Sequence, residues 1–134
     1  PFVDDCIQFD SKFELQVFLE LKKNLGQYDK FIHRQEMLVI KPPTSNYAPK
    51  GWKCDFMIHA EAGCVKRYIE AKGLVTREFK LQLQLLEFFN PIAWENLIIV
   101  TAGVAPIKVD RRKWSTPFHC LRDIDFTDAI TLPF

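Results

Sequence analysis

The sequence predicts one α/β domain, and three observations carry that expectation. The chain has 134 residues, one domain's length, enough to bury roughly two-thirds of the surface its unfolded form exposes. Its composition is globular, 48% hydrophobic and 26% charged, with 12 phenylalanines pointing to an aromatic-rich core. The apolar period switches between a helical step and a step of two, in the order helix, strand, hairpin, helix, strand. The same composition excludes disordered, collagen-like and low-complexity chains.

Residues 1–10 are short and acidic, with Asp4, Asp5 and Asp10. Ser11 and Glu14 have the S-x-x-E spacing of a capping box. Behind them, Phe13, Val17 and Leu21 form one apolar row and Phe18, Leu21 and Leu25 another. With Lys22 and Lys23 leading into Gly26, this predicts a helix over residues 11–25. Residues 31–40, FIHRQEMLVI, read as a strand that stops before Pro42-Pro43. Residues 41–51, with three prolines, read as a loop. In residues 52–59, alternation puts Trp52, Cys54, Phe56 and Ile58 on one face and Lys53, Asp55, Met57 and His59 on the other. A turn at Glu61-Ala62-Gly63 leads to a second alternating run, residues 64–72. There Val65, Arg67, Ile69 and Ala71 oppose Lys66, Tyr68, Glu70 and Lys72, which completes an antiparallel hairpin. Thr76 caps a Leu-, Gln- and Glu-rich helix over residues 77–89, which Asn90-Pro91 ends. Residues 96–101, NLIIVT, are a buried central strand. No repeat or linker follows; KVDRRKW, residues 108–114, is a dense basic cluster, and the last dozen residues turn acidic.

Lys plus Arg total 18 against 17 for Asp plus Glu, so global charge selects no partner. The 4 cysteines (Cys6, Cys54, Cys64 and Cys120) form no C-x-x-C pair, and no histidine stands at finger-like spacing. That argues against a structural zinc and against a disulfide framework, and for a reducing, intracellular (cytoplasmic) compartment. No apolar run reaches transmembrane length and no signal pattern opens the chain. It begins at Pro1 rather than Met, as a trimmed chain or a piece of a longer protein would.

The residues that carry chemistry are Asp55, Glu70 and Lys72. Each interrupts an apolar strand. The period of two puts Glu70 and Lys72 on one face, and the short turn brings Asp55 across from Glu70. Two carboxylates suit a hard divalent cation that keeps several waters. Such a cation polarises a phosphoryl oxygen and lowers the pKa of a bound water. The lysine is placed to handle that water or the developing phosphate charge. Glu14 is a candidate third carboxylate.

In this order the residues resemble the PD-(D/E)XK nuclease superfamily. They most resemble its small phage and mobile-element endonucleases, with S-x-x-E on a helix, then Y-x-P-D-F, then E-x-K-G. The matching stretches are Ser11-Lys12-Phe13-Glu14, Cys54-Asp55-Phe56 and Glu70-Ala71-Lys72-Gly73, within roughly residues 9–101. The resemblance implies a restriction-endonuclease-like mixed β-sheet flanked by helices. It also implies Mg²⁺ (or Mn²⁺) on Asp55, Glu70 and the Ala71 carbonyl, Lys72 acting at the water, and a 5′-phosphate product. Cys54 departs from the proline frequent before the aspartate, a backbone-shaping difference that leaves the carboxylates in place.

Each residue also has a plainer role. Glu14 is open to helix capping and to the metal site alike. Asp55 and Lys72 as a simple salt bridge would be charge-balanced, but Asp55 and Glu70 against one lysine leave excess negative charge, which favours a cation. Lys80 and Gln84 on the second helix belong to a solvated face or flank the site. Gln35 is structural or touches substrate, and His33, His59 and His119 are structural. Lys108, Arg111, Arg112 and Lys113, beside Trp114, are ordinary surface or a phosphate grip with a stacking platform. The expected function is Mg²⁺-dependent endonucleolytic cleavage of DNA, in phage or mobile-element DNA processing, with a homodimer or partner subunit permitted. The alternatives are an RNA endonuclease with the same site and a catalytically silent nucleic-acid-binding module.

Overall fold

The computed structural model describes residues 2–4, 7–59, 66–102, 108–109, 112–113, 118–121, 124 and 126. An antiparallel ribbon opens the chain, β1 (Phe2–Asp4) with β2 (Ile7–Phe9), inside the acidic segment where no strand is expected. Three-residue strands are too short to show a period. Helix α1 (Lys12–Leu25) begins as predicted, with Ser11 Oγ accepting from the Glu14 N–H at 3.0 Å. Val17, Phe18, Leu21 and Leu25 are its buried side. Gly26, at φ 55, ends it, and its N–H returns to the Lys22 carbonyl. A 3₁₀ turn (Gly26–Phe31) feeds β3 (Ile32–Lys41). Next come β4 (Lys50–Ile58), β5 (Arg67–Lys72) and α2 (Arg77–Phe89), the last capped by Thr76 Oγ1 on the Phe79 N–H at 3.1 Å.

Asn90-Pro91 ends α2 and also starts α3 (Pro91–Glu95), a short helix with proline in its first turn, where a missing N–H costs nothing. Asn90 accepts from the Ala93 N–H and donates to the Val39 carbonyl, pinning this corner to β3. Strand β6 (Leu97–Thr101) is buried along its whole length. A two-stranded ribbon, β7 (Lys108–Val109) and β8 (Arg112–Lys113), precedes β9 (Phe118–Cys120). The main sheet has the order β3-β4-β5-β6-β9 and is mixed: antiparallel from β3 to β5, parallel from β5 to β9. Pairing in parallel on both sides explains why β6 is apolar throughout. Among the described residues no helix is long and apolar enough to cross a membrane.

The two faces of the sheet carry separate cores. On one, α1 covers Phe56, Ile58, Ile69, Ile98 and Val100, with Phe9 and Phe126. On the other, α2 covers Leu38, Ile40, Trp52, Cys54, Leu97 and Ile99. The expectation that Trp52, Cys54, Phe56 and Ile58 share a face is therefore wrong. Trp52 and Cys54 pack under α2, and Phe56 and Ile58 under α1. The switch falls where Gln35 and Asp55 lie between the Arg34–Phe56 and Glu36–Cys54 pairs. Gln35 has φ 54, in the left-handed region that a side chain disfavours. There the strand turns over and alternation restarts out of phase. A Cβ in that conformation costs roughly 1–2 kcal/mol, a cost Gln35 already bears. Gln35→Gly should therefore hold or raise stability, and Gln35→Val, whose β-branch fits this region worst, should lower it further. Urea denaturation midpoints measure both. A valine variant as stable as wild type would mean that the turn-over does not depend on this backbone angle.

Candidate metal centre

The β4–β5 ladder pairs Ile58 with Arg67, Met57 with Tyr68 and Phe56 with Ile69. One step further, Asp55 stands across from Glu70, as the spacing predicts. There the Ala71 N–H donates to Asp55 Oδ2 at 2.8 Å, so a carboxylate takes the bond. A strand residue directs its N–H and C=O to the same neighbour. The Ala71 carbonyl therefore faces the same opening as Asp55. Cys54 is a buried free thiol, pushed well up in pKa by burial. It donates to the carbonyls of Phe56 (3.4 Å) and Ile69 (3.3 Å), satisfying backbone at the point where the strands part.

Glu70 is only 3% exposed. Its Oε2 is buried with no hydrogen-bond partner among the described residues. Burial pushes the Glu70 carboxyl well above the usual carboxylate range; the hydrogen bond and charge of Asp55 add to this, and Lys72 and Trp52 oppose it. Glu70 thus has two ways to be satisfied. It keeps a proton and donates it to Asp55, or it ionises against a cation.

Lys72 lies two residues along the same face. Its ammonium is 4.6 Å from the centroid of the Phe79 ring on α2, a cation–π contact. Among the described residues it makes no ion pair with Asp55, so the plain salt-bridge reading of Asp55 and Lys72 is not what the fold builds.

Glu14 enters from α1 and is 4% exposed. Its backbone N–H serves the cap, but its side chain does not return to complete a capping box. Instead Oε1 accepts from Arg34 Nη2 at 3.1 Å. Burial raises the Glu14 pKa and the Asp55 charge raises it further, against the pull of Arg34. Asp55 thus acts electrostatically on both Glu14 and Glu70, and Lys72 acts on Glu70. Arg34 is the partner that the sequence reading missed. Its signal was present: an arginine inside an apolar strand needs a partner, and the carboxylates needed a cation.

Among the described residues no three Asp, Glu, His or Cys side chains are grouped to cage an ion. The donor set is two carboxylates and a backbone carbonyl, which fits a hard cation that completes its shell with water. Lys80 is half-buried and Gln84 exposed on α2, the helix whose Phe79 carries Lys72. Lys108 and Lys113 face each other across the β7–β8 ribbon, where Arg112 pairs with Val109; Arg111 and Trp114 lie outside the described residues. His33 Nε2 is 3.3 Å from the His59 carbonyl, a structural role for the pair. Cys6, Cys64 and the turn at 61–63 also lie outside the described residues. Set against family models, curated proteins and solved structures, the chain matches none of them.

Proposed function

We propose that this protein is a Mg²⁺-dependent endonuclease that hydrolyses phosphodiester bonds in DNA on a restriction-endonuclease-like fold. The observation that carries the reading is Glu70. It is a buried carboxylate with an orphaned oxygen, one strand position across from a second carboxylate, and a lysine stands two residues on along the same face. A structural carboxylate would have been given donors, because burying one without them is costly.

In this reading Asp55, Glu70 and the Ala71 carbonyl hold the ion. Once bound, it supplies charge against a phosphoryl oxygen and acidity to a water. Asp55 is pre-oriented by the Ala71 N–H. Glu70 gives up its proton as the site loads. Lys72, propped on Phe79 as an ammonium, would orient the attacking water and offset the charge that builds on the phosphate, and the surrounding apolar layers keep bulk solvent from screening these charges. Incubation with plasmid, branched DNA and RNA under Mg²⁺, Mn²⁺, Ca²⁺ or EDTA tests this. Cleavage of DNA with Mg²⁺ and none with EDTA is the expected result. Cleavage of RNA alone would move the substrate to RNA, and binding without cleavage of anything would leave the silent module.

The basic residues near the β7–β8 ribbon are assigned in this reading to the nucleic-acid backbone. Reversing charge at Arg111 and Arg112 together should weaken DNA binding. It should also flatten its logarithmic salt dependence by roughly 0.9 for each phosphate no longer neutralised. Binding measured from low to moderate salt gives that slope, and an unchanged slope returns these residues to ordinary surface.

A further inference from the structure

Arg34 is held more tightly than a surface arginine needs to be. It stands on β3 beside the left-handed Gln35 and across from Phe56. Nη2 donates to Glu14, and the guanidinium carbon lies 4.3 Å from the centroid of the Phe9 ring. Nε is buried with no partner among the described residues, and the side chain is 22% exposed against 5% for that of Glu14. The β1–β2 ribbon, α1 and the sheet therefore fix this charge between them.

Charge balance says what the arrangement is for. Glu14, Asp55 and Glu70 face Arg34 and Lys72, leaving a single negative charge when all are ionised. One divalent ion with one phosphodiester brings the cluster to neutrality; two would leave it strongly positive. A second ion would also have to share Glu14 with a guanidinium already bonded to it.

We propose that Arg34 takes the part of a second cation: the site accepts one divalent ion, on Asp55 and Glu70, and the guanidinium seated on Glu14 supplies the other fixed positive charge. This rests on reading Asp55 and Glu70 as the metal site. Arg34 is in this sense a positioning residue for charge, and Glu14 is its holder rather than a metal ligand.

The test is ion stoichiometry and the shape of the metal dependence, which a merely structural arginine would not alter. Titrating wild type calorimetrically with Mn²⁺ should give one ion per chain, and cleavage rate should rise with Mn²⁺ with a Hill coefficient near one. Arg34→Met keeps an apolar stem over Phe9 and removes the charge. Its kcat on plasmid DNA should fall about a hundredfold, the scale of removing a charge-stabilising group, with KM little changed. High Mn²⁺ should then restore part of the rate with a Hill coefficient approaching two, because Glu14 is freed to bind a second ion. Arg34→Lys should keep one ion per chain and recover most of the rate. If Arg34→Met does not fold, the double variant Glu14→Gln/Arg34→Met removes both charges. It should stay slow with a Hill coefficient near one at all Mn²⁺ concentrations. Two ions per chain in cleaving wild type, or wild-type kcat in Arg34→Met or the double variant, would overturn the inference and leave the nuclease reading standing. Wild type that binds no Mn²⁺ and cuts nothing would remove the nuclease reading and this inference with it.

Discussion

Replacing Glu70 with Gln should abolish cleavage while making the metal-free protein at least as stable as wild type at neutral pH. Wild type buries an acid whose folded pKa lies well above its ordinary value of 4.5, chiefly because of burial. The native state therefore holds that proton more tightly than the unfolded chain does. Below about pH 4.5 both states are protonated and the cost is absent. As pH rises, the unfolded chain releases the proton first, and wild-type stability falls until the folded pKa is passed. Glutamine has no proton to lose, so the gap between variant and wild type should open upward from that pH. Asp55→Asn should behave alike in activity and keep the fold, since an amide oxygen still accepts the Ala71 N–H and its NH₂ gives Glu70 Oε2 a donor. Urea melts in EDTA across pH 4 to 8 measure the gap. Repeating them with Mg²⁺ should stabilise wild type by mass action and leave the Glu70→Gln variant nearly unmoved. Either variant cleaving at the wild-type rate would mean that the site is misplaced. A Glu70→Gln variant clearly less stable than wild type at pH 7 in EDTA would mean that Glu70 carries no buried-charge cost.

Lys72→Ala should separate binding from turnover. A lysine that only neutralises Asp55 and Glu70 competes with the cation, and its removal would tighten metal binding and spare the rate. A lysine that works on the water or the phosphate does little for the metal and much for the reaction. The ammonium is held over Phe79 rather than paired with Asp55, which points to the second role. The expected outcome is Mg²⁺ binding close to wild type and DNA binding retained, with a rate loss of at least about a hundredfold. Removing the ammonium from the ring should cost stability only about 0.5–1 kcal/mol. Single-turnover cleavage at saturating Mg²⁺, beside thermal shifts on adding Mg²⁺, gives the two quantities independently. A Lys72→Ala variant with near wild-type turnover would remove Lys72 from the chemistry.

Much of this was legible in the chain because it is local. Ser11 and Thr76 announce their helices through caps that close within three residues, and both form the bonds expected of them. The period of two places Glu70 and Lys72 together, and a short connection places Asp55 opposite Glu70. What was missed is either too short to have a period or is joined through space. Strands β1, β2 and β9 have three residues each; pairing across the ribbon or along β6 defines them.

The sequence by itself determined the two amphipathic helices, the apolar central strand, and an acidic pair with a lysine in strands that should otherwise be apolar. Only the tertiary structure decided that Arg34, 20 residues from Glu14, claims its side chain. It also decided that the β3–β4 pair turns over at Gln35, so that Cys54 and Phe56 serve opposite cores. Helical and strand periods reflect bonds between near neighbours and can be read along the chain. Which buried charge meets which, and which face a strand turns to a given helix, follow from how the layers close on one another, and no window of sequence contains that.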